Sequence, residues 1–247
     1  MVEQETHVGT IDGRIDTFVT YPREDGLYSA VIFYMDAPGI RDELRDMARR
    51  IAARGYFVVL PNLYYRHVQT SDARYAEAPF NEKITYARHI NNRLIIEDTE
   101  AILSYVETHP RADAASVGAV GFCMSGAFAL AAAGTFPARI KCAASIYGVN
   151  LVTESADSPH LLADRVAGEL YFACAEEDDY VPGEVIEKLE AHLAETASNY
   201  QFEWYPGTRH GFAFPEREDA YDRVSAEHLW SRLFALLERN LRAYRDG

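Results

Sequence analysis

Cysteine is scarce in this chain, and the scarcity narrows what it can be. Cys123, Cys142 and Cys174 are the three cysteines in 247 residues, with no Cys-x-x-Cys pair and no histidine at ligand spacing beside them. An odd, scattered set of thiols excludes a disulfide framework and a structural zinc site. The ordinary fate of such thiols is that of small buried hydrophobes. Positive charge is also short: 24 Lys and Arg against 38 Asp and Glu leave a net charge of −14. A surface of that sign repels phosphate backbones, which excludes sequence-independent nucleic-acid binding. No apolar run approaches the roughly 18 residues that a membrane helix needs. The first seven residues, Met1 to His7, are acidic and lack the apolar stretch of a secretory signal. A cytoplasmic protein with no nucleic-acid or membrane partner is expected. Repeats, low-complexity tracts and Pro/Gly/Ser-rich linkers are missing too, so residues 1–247 are expected to form a single domain.

What is present is an alternation. Hydrophobic residues make up 48% of the chain, enough for a sizeable core, and they fall into short β-type runs between longer helical patterns. Residues 29–35 read as a buried strand, and 42–54 as a helix with Leu44, Met47, Ala48 and Ile51 at helical spacing. Gly55 stops that helix, and a strand over 56–60 is ended by Pro61. Residues 62–83 are polar, aromatic and irregular, as lids and binding loops often are. Beyond them the pattern predicts helix 93–107, strand 116–122, helix 124–133 and strands 141–147 and 169–175. Helix Gly183–Ala194, a strand near 200–204 and a last helix from 218 to 244 complete it. Such βαβ alternation implies a mainly parallel sheet covered on both faces, with ligands beyond the carboxyl ends of its strands.

Three strand ends stand out. The first reads Gly121-Phe122-Cys123-Met124-Ser125-Gly126, between an apolar strand and an Ala-rich helix. Small residues around Cys123 are the layout of a nucleophile elbow, a strained turn that leaves no room for bulk beside it. A sulfur there would project above the sheet at a helix N-terminus, whose dipole favours the thiolate. A phosphate loop is excluded, because Ala127-Phe128 stands where Lys-Ser/Thr would be needed. The bland alternative is close helix–strand packing around an inert thiol.

The second end is the acidic loop through Asp178, followed by Tyr180-Val181-Pro182; the third holds His210-Gly211-Phe212. Of eight histidines, His210 alone sits in a Gly-flanked loop after a predicted strand. His192 and His228 fall in predicted helices, and His7 in the N-terminal tail. Nucleophile, acid, histidine is the α/β-hydrolase chain order, which makes Cys123, Asp178 and His210 a candidate catalytic triad. His210 would hold the thiolate and later activate water, and Asp178 would fix the imidazole tautomer. A thioester acyl-enzyme would form and hydrolyse. Elbow geometry offers the backbone N–H of Met124 as one oxyanion donor, with that of Ala37, in the loop after the first long strand, as the other.

These residues resemble the dienelactone hydrolase family, the cysteine branch of the α/β-hydrolases, over nearly the whole chain. Gly121-Phe-Cys-Met-Ser-Gly126 is similar to the family's Gly-Tyr-Cys-Leu-Gly-Gly elbow. Asp178-x-x-Val181-Pro182 and His210-Gly211-Phe212 match its acid and histidine motifs. The stretch from Gly39 through Leu60-Pro61-Asn62-Leu63-Tyr64 is similar to its helix and following strand. The resemblance implies an α/β-hydrolase fold and a hydrolase of a small carboxylic ester or lactone, with no cofactor or metal, acting as a monomer or homodimer. It also implies an acid that approaches the cysteine when substrate binds. Asp36 stands there, one methylene shorter than the family's glutamate; the alternative is a turn or capping residue before Pro38.

Family members that act on dienelactone hold its carboxylate with two arginines, one of them four residues past the histidine. Phe214 occupies that position here. Arg209, Arg217, Arg66, Arg74 and Arg88 are the candidate substitutes. Arg209 and Arg217 join Tyr64, Tyr65 and Phe212 as the candidate substrate-binding set, and Tyr75, Tyr86 and Phe80 either line a flat apolar pocket with them or pack as core. Two other readings stay open. One is a serine esterase using Ser125. The other is a non-catalytic or redox-sensing hydrolase-fold protein, in which Cys142 or Cys174 would have to resolve an oxidised Cys123.

Overall fold

The structure, a computed structural model, describes residues 1–72, 75 and 77–242, the Phe80 side chain excepted. Among these, the apolar runs become one eight-stranded sheet. Its strands are β1 (Val2–Thr10), β2 (Gly13–Tyr21), β3 (Tyr28–Tyr34), β4 (Phe57–Pro61), β5 (Ala112–Phe122), β6 (Ile140–Ile146), β7 (Glu169–Glu177) and β8 (Asn199–Arg209). The spatial order is β1-β2-β4-β3-β5-β6-β7-β8. Neighbours from β4 to β8 run parallel, while β1/β2 and β2/β4 are antiparallel. This is the mainly parallel sheet that the alternation implies, in the α/β-hydrolase arrangement that the resemblance implies.

Among the described residues five long helices cover the sheet: α1 (Asp42–Ala52), α2 (Asn92–Thr108), α3 (Ser125–Thr135), α4 (Gly183–Ala194) and α5 (Arg223–Asn240). Helix α1 buries Leu44, Met47, Ala48 and Ile51, the stripe expected from its spacing. It shares one face of the sheet with α5, to which Arg50 is tied through Glu227 and the Trp230 ring. Helices α2 and α3 pack together on the other face, with α4 reached through the 3-10 helix Pro159–Arg165. Helix α3 is buried from Ser125 to Gly134, as befits an alanine-rich helix with no polar side to show solvent.

The structure departs from the sequence pattern at the ends of the chain. His7 is not in a tail; it lies in β1, its Nε2 3.3 Å from Asp16 Oδ1. β1 is an edge strand that buries Val8 and little else, so it carries no apolar run to reveal it. Pro61 pairs with Thr17 as the last residue of β4 rather than lying beyond it. The last helix begins at Arg223, where Asp222 accepts a hydrogen bond from Ser225 N at 2.7 Å, and ends at Asn240. The expected stretch beyond residue 242 lies outside the described residues. The stretch 62–83 ends in a short helix, Phe80–Lys83, which a 3-10 helix, Ile84–His89, follows.

Parallel strands put their carboxyl ends on one edge of the sheet. Asp36 follows β3, Cys123 follows β5, and His210 follows β8, while Asp178 follows β7. At this edge α3 crosses so near the loop after β6 that a Cβ on Gly126 would lie 2.5 Å from both Gly148 Cα and Ser145 Oγ. Gly126→Ala is therefore expected to lower stability by about 1–3 kcal/mol, read as a fall in urea midpoint with an unchanged slope.

Candidate active site

Cys123 takes φ +56°, a left-handed conformation that is strained for a residue with a side chain. Its surroundings hold it there. Its N–H donates to Ile146 O at 3.0 Å, and its carbonyl accepts from Gly126 N at 3.1 Å and Val149 N at 3.0 Å. The turn folds so tightly that a Cβ on Gly121 would lie 1.9 Å from Ser125 O, which explains the glycine two residues before the cysteine. Ser125 is fully buried, with its Oγ 3.0 Å from Phe122 N, 2.9 Å from Phe122 O and 3.2 Å from Tyr34 O. Its hydroxyl is thus bound to the backbone of the turn rather than presented to the cleft. Cys142 and Cys174 are buried in β6 and β7, and burial pushes the Cys174 thiol up to about 12. Cys123 is partly exposed and lines a cleft.

Asp178 and His210 meet across the ends of β7 and β8. His210 Nδ1 lies 2.8 Å from Asp178 Oδ2, and both side chains are almost wholly buried. The other carboxylate oxygen, Oδ1, accepts from Tyr180 N at 2.9 Å and Val181 N at 3.1 Å. The backbone entering α4 therefore fixes the acid, and the acid fixes the imidazole. Burial disfavours the imidazolium, but the Asp178 hydrogen bond and the nearby Cys123 outweigh it and raise the pKa of His210 to about 9. His210 Nε2 is buried and meets no partner at full hydrogen-bond geometry; the Cys123 sulfur is close enough to act on it electrostatically.

Asp36 does not reach the thiol in this conformation. It is fully buried, with Arg41 Nη1 donating to Oδ1 at 2.6 Å and Nη2 to Oδ2 at 3.2 Å. Arg41 also pairs with Glu43 and Glu216 and lies over the Phe214 ring. The shorter acid thus anchors the loop that carries Ala37. Tyr64 pins the same loop, donating through its OH to Ala37 O at 2.7 Å, and its OH lies 3.6 Å from Met124 Sδ. A tyrosine expected in the pocket wall instead links the two segments bearing the candidate oxyanion donors.

A cleft of about 900 Å³ opens over this edge, and Ala37, Cys123, Met124, His210 and Arg217 all line it. The remaining substrate candidates lie elsewhere. Arg209 is exposed and pairs with Glu177 at 3.3 Å. Tyr65 hydrogen-bonds Asp98 and Thr10, and Arg66 binds Asp98 and Asp12. Phe212 is buried behind the histidine against Tyr147 and Tyr205. Arg74 lies outside the described residues, and Arg88 is exposed and not part of the lining. Tyr86 packs on Tyr64 and Tyr75.

The apolar wall comes from residues that the motifs did not mark: Ile84, Ala87 and Ile90, with Phe128 and Val149. Their signal was the spacing of three between 84, 87 and 90, which is the period of the 3-10 helix they occupy or border. Among the described residues no group of His, Cys, Asp or Glu could hold a metal ion, and no helix is long and apolar enough to cross a membrane.

Known proteins resemble this chain in sequence and in fold. The model of the dienelactone hydrolase family matches residues 15–241. A carboxymethylenebutenolidase of Rhodococcus opacus is 26% identical over 221 residues, covering 88% of this chain and 84% of that protein. Two crystal structures share the fold. One is P91, a dienelactone hydrolase-like promiscuous phosphotriesterase from metagenomic libraries, with TM-score 0.79 and 21% identity over 97% of this chain and 99% of its own. The other is a dienelactone hydrolase from Anabaena variabilis, with TM-score 0.70 and 15% identity over 98% and 99%.

The His210–Asp178 pair makes stability depend on pH. The folded imidazole, at about 9, binds its proton more tightly than an ordinary histidine at 6.5. The contribution is therefore complete below the lower value and is lost as pH rises through the upper one. Thermal unfolding measured from about pH 6 to 10 should show the native chain losing stability over this window and Asp178→Asn giving a flatter curve. Parallel curves for the two proteins would mean that Asp178 does not set the protonation of His210.

Proposed function

The chain belongs to the dienelactone hydrolase family and hydrolyses ester or lactone bonds, and we propose that Cys123, His210 and Asp178 carry out that hydrolysis through a thioester. The observation that carries the proposal is the meeting of three features in one cleft. The sulfur-bearing elbow at φ +56° and an imidazole 2.8 Å from its carboxylate are joined there by a histidine pKa raised partly by the cysteine itself.

In the first half-reaction the Cys123 thiolate attacks the acyl carbon. The carbonyl oxygen becomes an oxyanion facing the N–H groups of Met124 and Ala37. As the tetrahedral intermediate collapses, the carbon–oxygen bond of the ester breaks and His210 Nε2 gives its proton to the departing alkoxide. In a lactone the released hydroxyl stays on the same molecule. In the second half-reaction neutral His210 takes a proton from water as the water oxygen attacks the thioester. The carbon–sulfur bond breaks, the carboxylic acid leaves, and the thiolate–imidazolium pair is restored. Asp178 keeps Nδ1 protonated and steadies the imidazolium throughout. Every step uses side chains, backbone amides and water, without a cofactor.

Asp36 acts at one remove in this scheme, by holding through Arg41 the loop that presents Ala37. Arg217, in the cleft beside the histidine, is the residue placed to meet an anionic group on the substrate. The name of the Rhodococcus relative makes a dienelactone the first substrate to try, beside short aryl esters. The position of the Ser125 hydroxyl disfavours a serine mechanism.

Cys123→Ala is expected to lower kcat/KM for such a substrate by about 10⁴-fold or more while leaving the fold intact. Rapid acid quench of the native enzyme, followed by peptide mass spectrometry, should find the acyl group on the Cys123 side chain. An acyl group on Ser125, or full turnover by the alanine variant, would overturn the proposal.

A further inference from the structure

His210 is touched by more than its acid. Two tyrosines from different strand ends each pack a ring against the imidazole. Tyr147 lies with ring centroids 4.9 Å apart and planes at 59°, and Tyr180 at 4.8 Å and 55°. They differ in every other respect. Tyr147 is buried, takes φ +36°, and rests on Phe122, Phe212 and Phe214. Tyr180 is 68% exposed and lines the cleft, and its backbone N–H donates to Asp178 Oδ1. The carboxylate that orients the imidazole therefore also holds the backbone of the residue whose ring covers it.

We propose that Tyr180 is a positioning residue for His210, its ring restraining the imidazole over Cys123 and favouring the imidazolium through the electron-rich aromatic face. The proposal rests on the reading of His210 as the acid and base of the hydrolysis. A cation within about 6 Å of an aromatic centroid is attracted by the ring, more strongly where water is excluded. The other charged or titratable groups around the imidazole are known. Asp178 and Cys123 favour its charge. Arg217, whose side chain lies so near Gly211 that a Cβ there would come within 2.6 Å of its Cδ, opposes it. Asp219, with a charge of the opposite sign, lines the wall of the same cleft. The buried tyrosine cannot be removed without disturbing the core, but the exposed one can.

The experiment follows the His210 ring resonances by NMR during a pH titration of full-length protein, in the native chain and in Tyr180→Ala, Tyr180→Leu and Tyr180→Phe. Removing the ring, with or without replacing its bulk, should lower the midpoint by about half a pH unit. Tyr180→Phe, which keeps the ring, should restore it, and the alkaline limb of kcat/KM should move in step. Unchanged midpoints in the alanine and leucine variants, or leucine restoring the midpoint as well as phenylalanine, would overturn the proposal. The midpoints are measured without turnover. Failure of the thioester mechanism, seen as full activity in Cys123→Ala, is therefore distinguishable from failure of this inference.

Discussion

At φ +56° the backbone of Cys123 sits in a conformation that costs a residue with a side chain about 1–3 kcal/mol, and the rest of the site is built on what holds it there. Three backbone hydrogen bonds close around the turn. Glycine at 121 leaves room for the carbonyl of Ser125, and Ser125 binds the peptide groups of Phe122. Without this reversal β5 would run directly into α3, and the sulfur would be one more small group in the core, as at Cys142 and Cys174. With it, the sulfur stands at the edge of the sheet, where the first N–H groups of a helix favour negative charge.

Under the proposed mechanism a negative sulfur at that point asks for a cation, and burial opposes one. The balance is struck by Asp178, whose buried carboxylate oxygens need donors. Two backbone amides supply them on one oxygen and the imidazole on the other. The chain of dependence runs from the Val181-Pro182 entry of α4, through the carboxylate and the imidazole, to the thiol. The amides hold the carboxylate and the carboxylate holds the imidazole, which leaves the pair little reorganisation to undergo.

The opposite wall of the site is organised by Arg41 and Tyr64. Arg41 takes both oxygens of Asp36, and Tyr64 ties the loop at Ala37 to the neighbourhood of Met124. A half-buried arginine with three carboxylate partners is a fixed post rather than a mobile clamp for substrate. The arginine left beside the histidine is Arg217, while Phe214, at the motif position, is core.

The amino-acid sequence by itself determined the alternation of strands and helices, the parallel sheet, the elbow at Cys123, and the order in which acid and histidine follow it. These are local matters: apolar periodicity, the need for glycine in a tight left-handed turn, and motifs a few residues long. Of the N-terminal hairpin, β1 escaped because an edge strand has little to bury, and β2 because Asp16, Thr17 and Thr20, buried with the rest, interrupt its apolar residues. The tertiary structure decided the rest, because it depends on which distant residues share a strand end. Folding placed Tyr180 on the imidazole and Tyr65 against Asp98. It also drew Ile84, Ala87 and Ile90 over the cleft. A side chain's partner is set by the register and packing of elements far apart in the chain, and no local spacing records it.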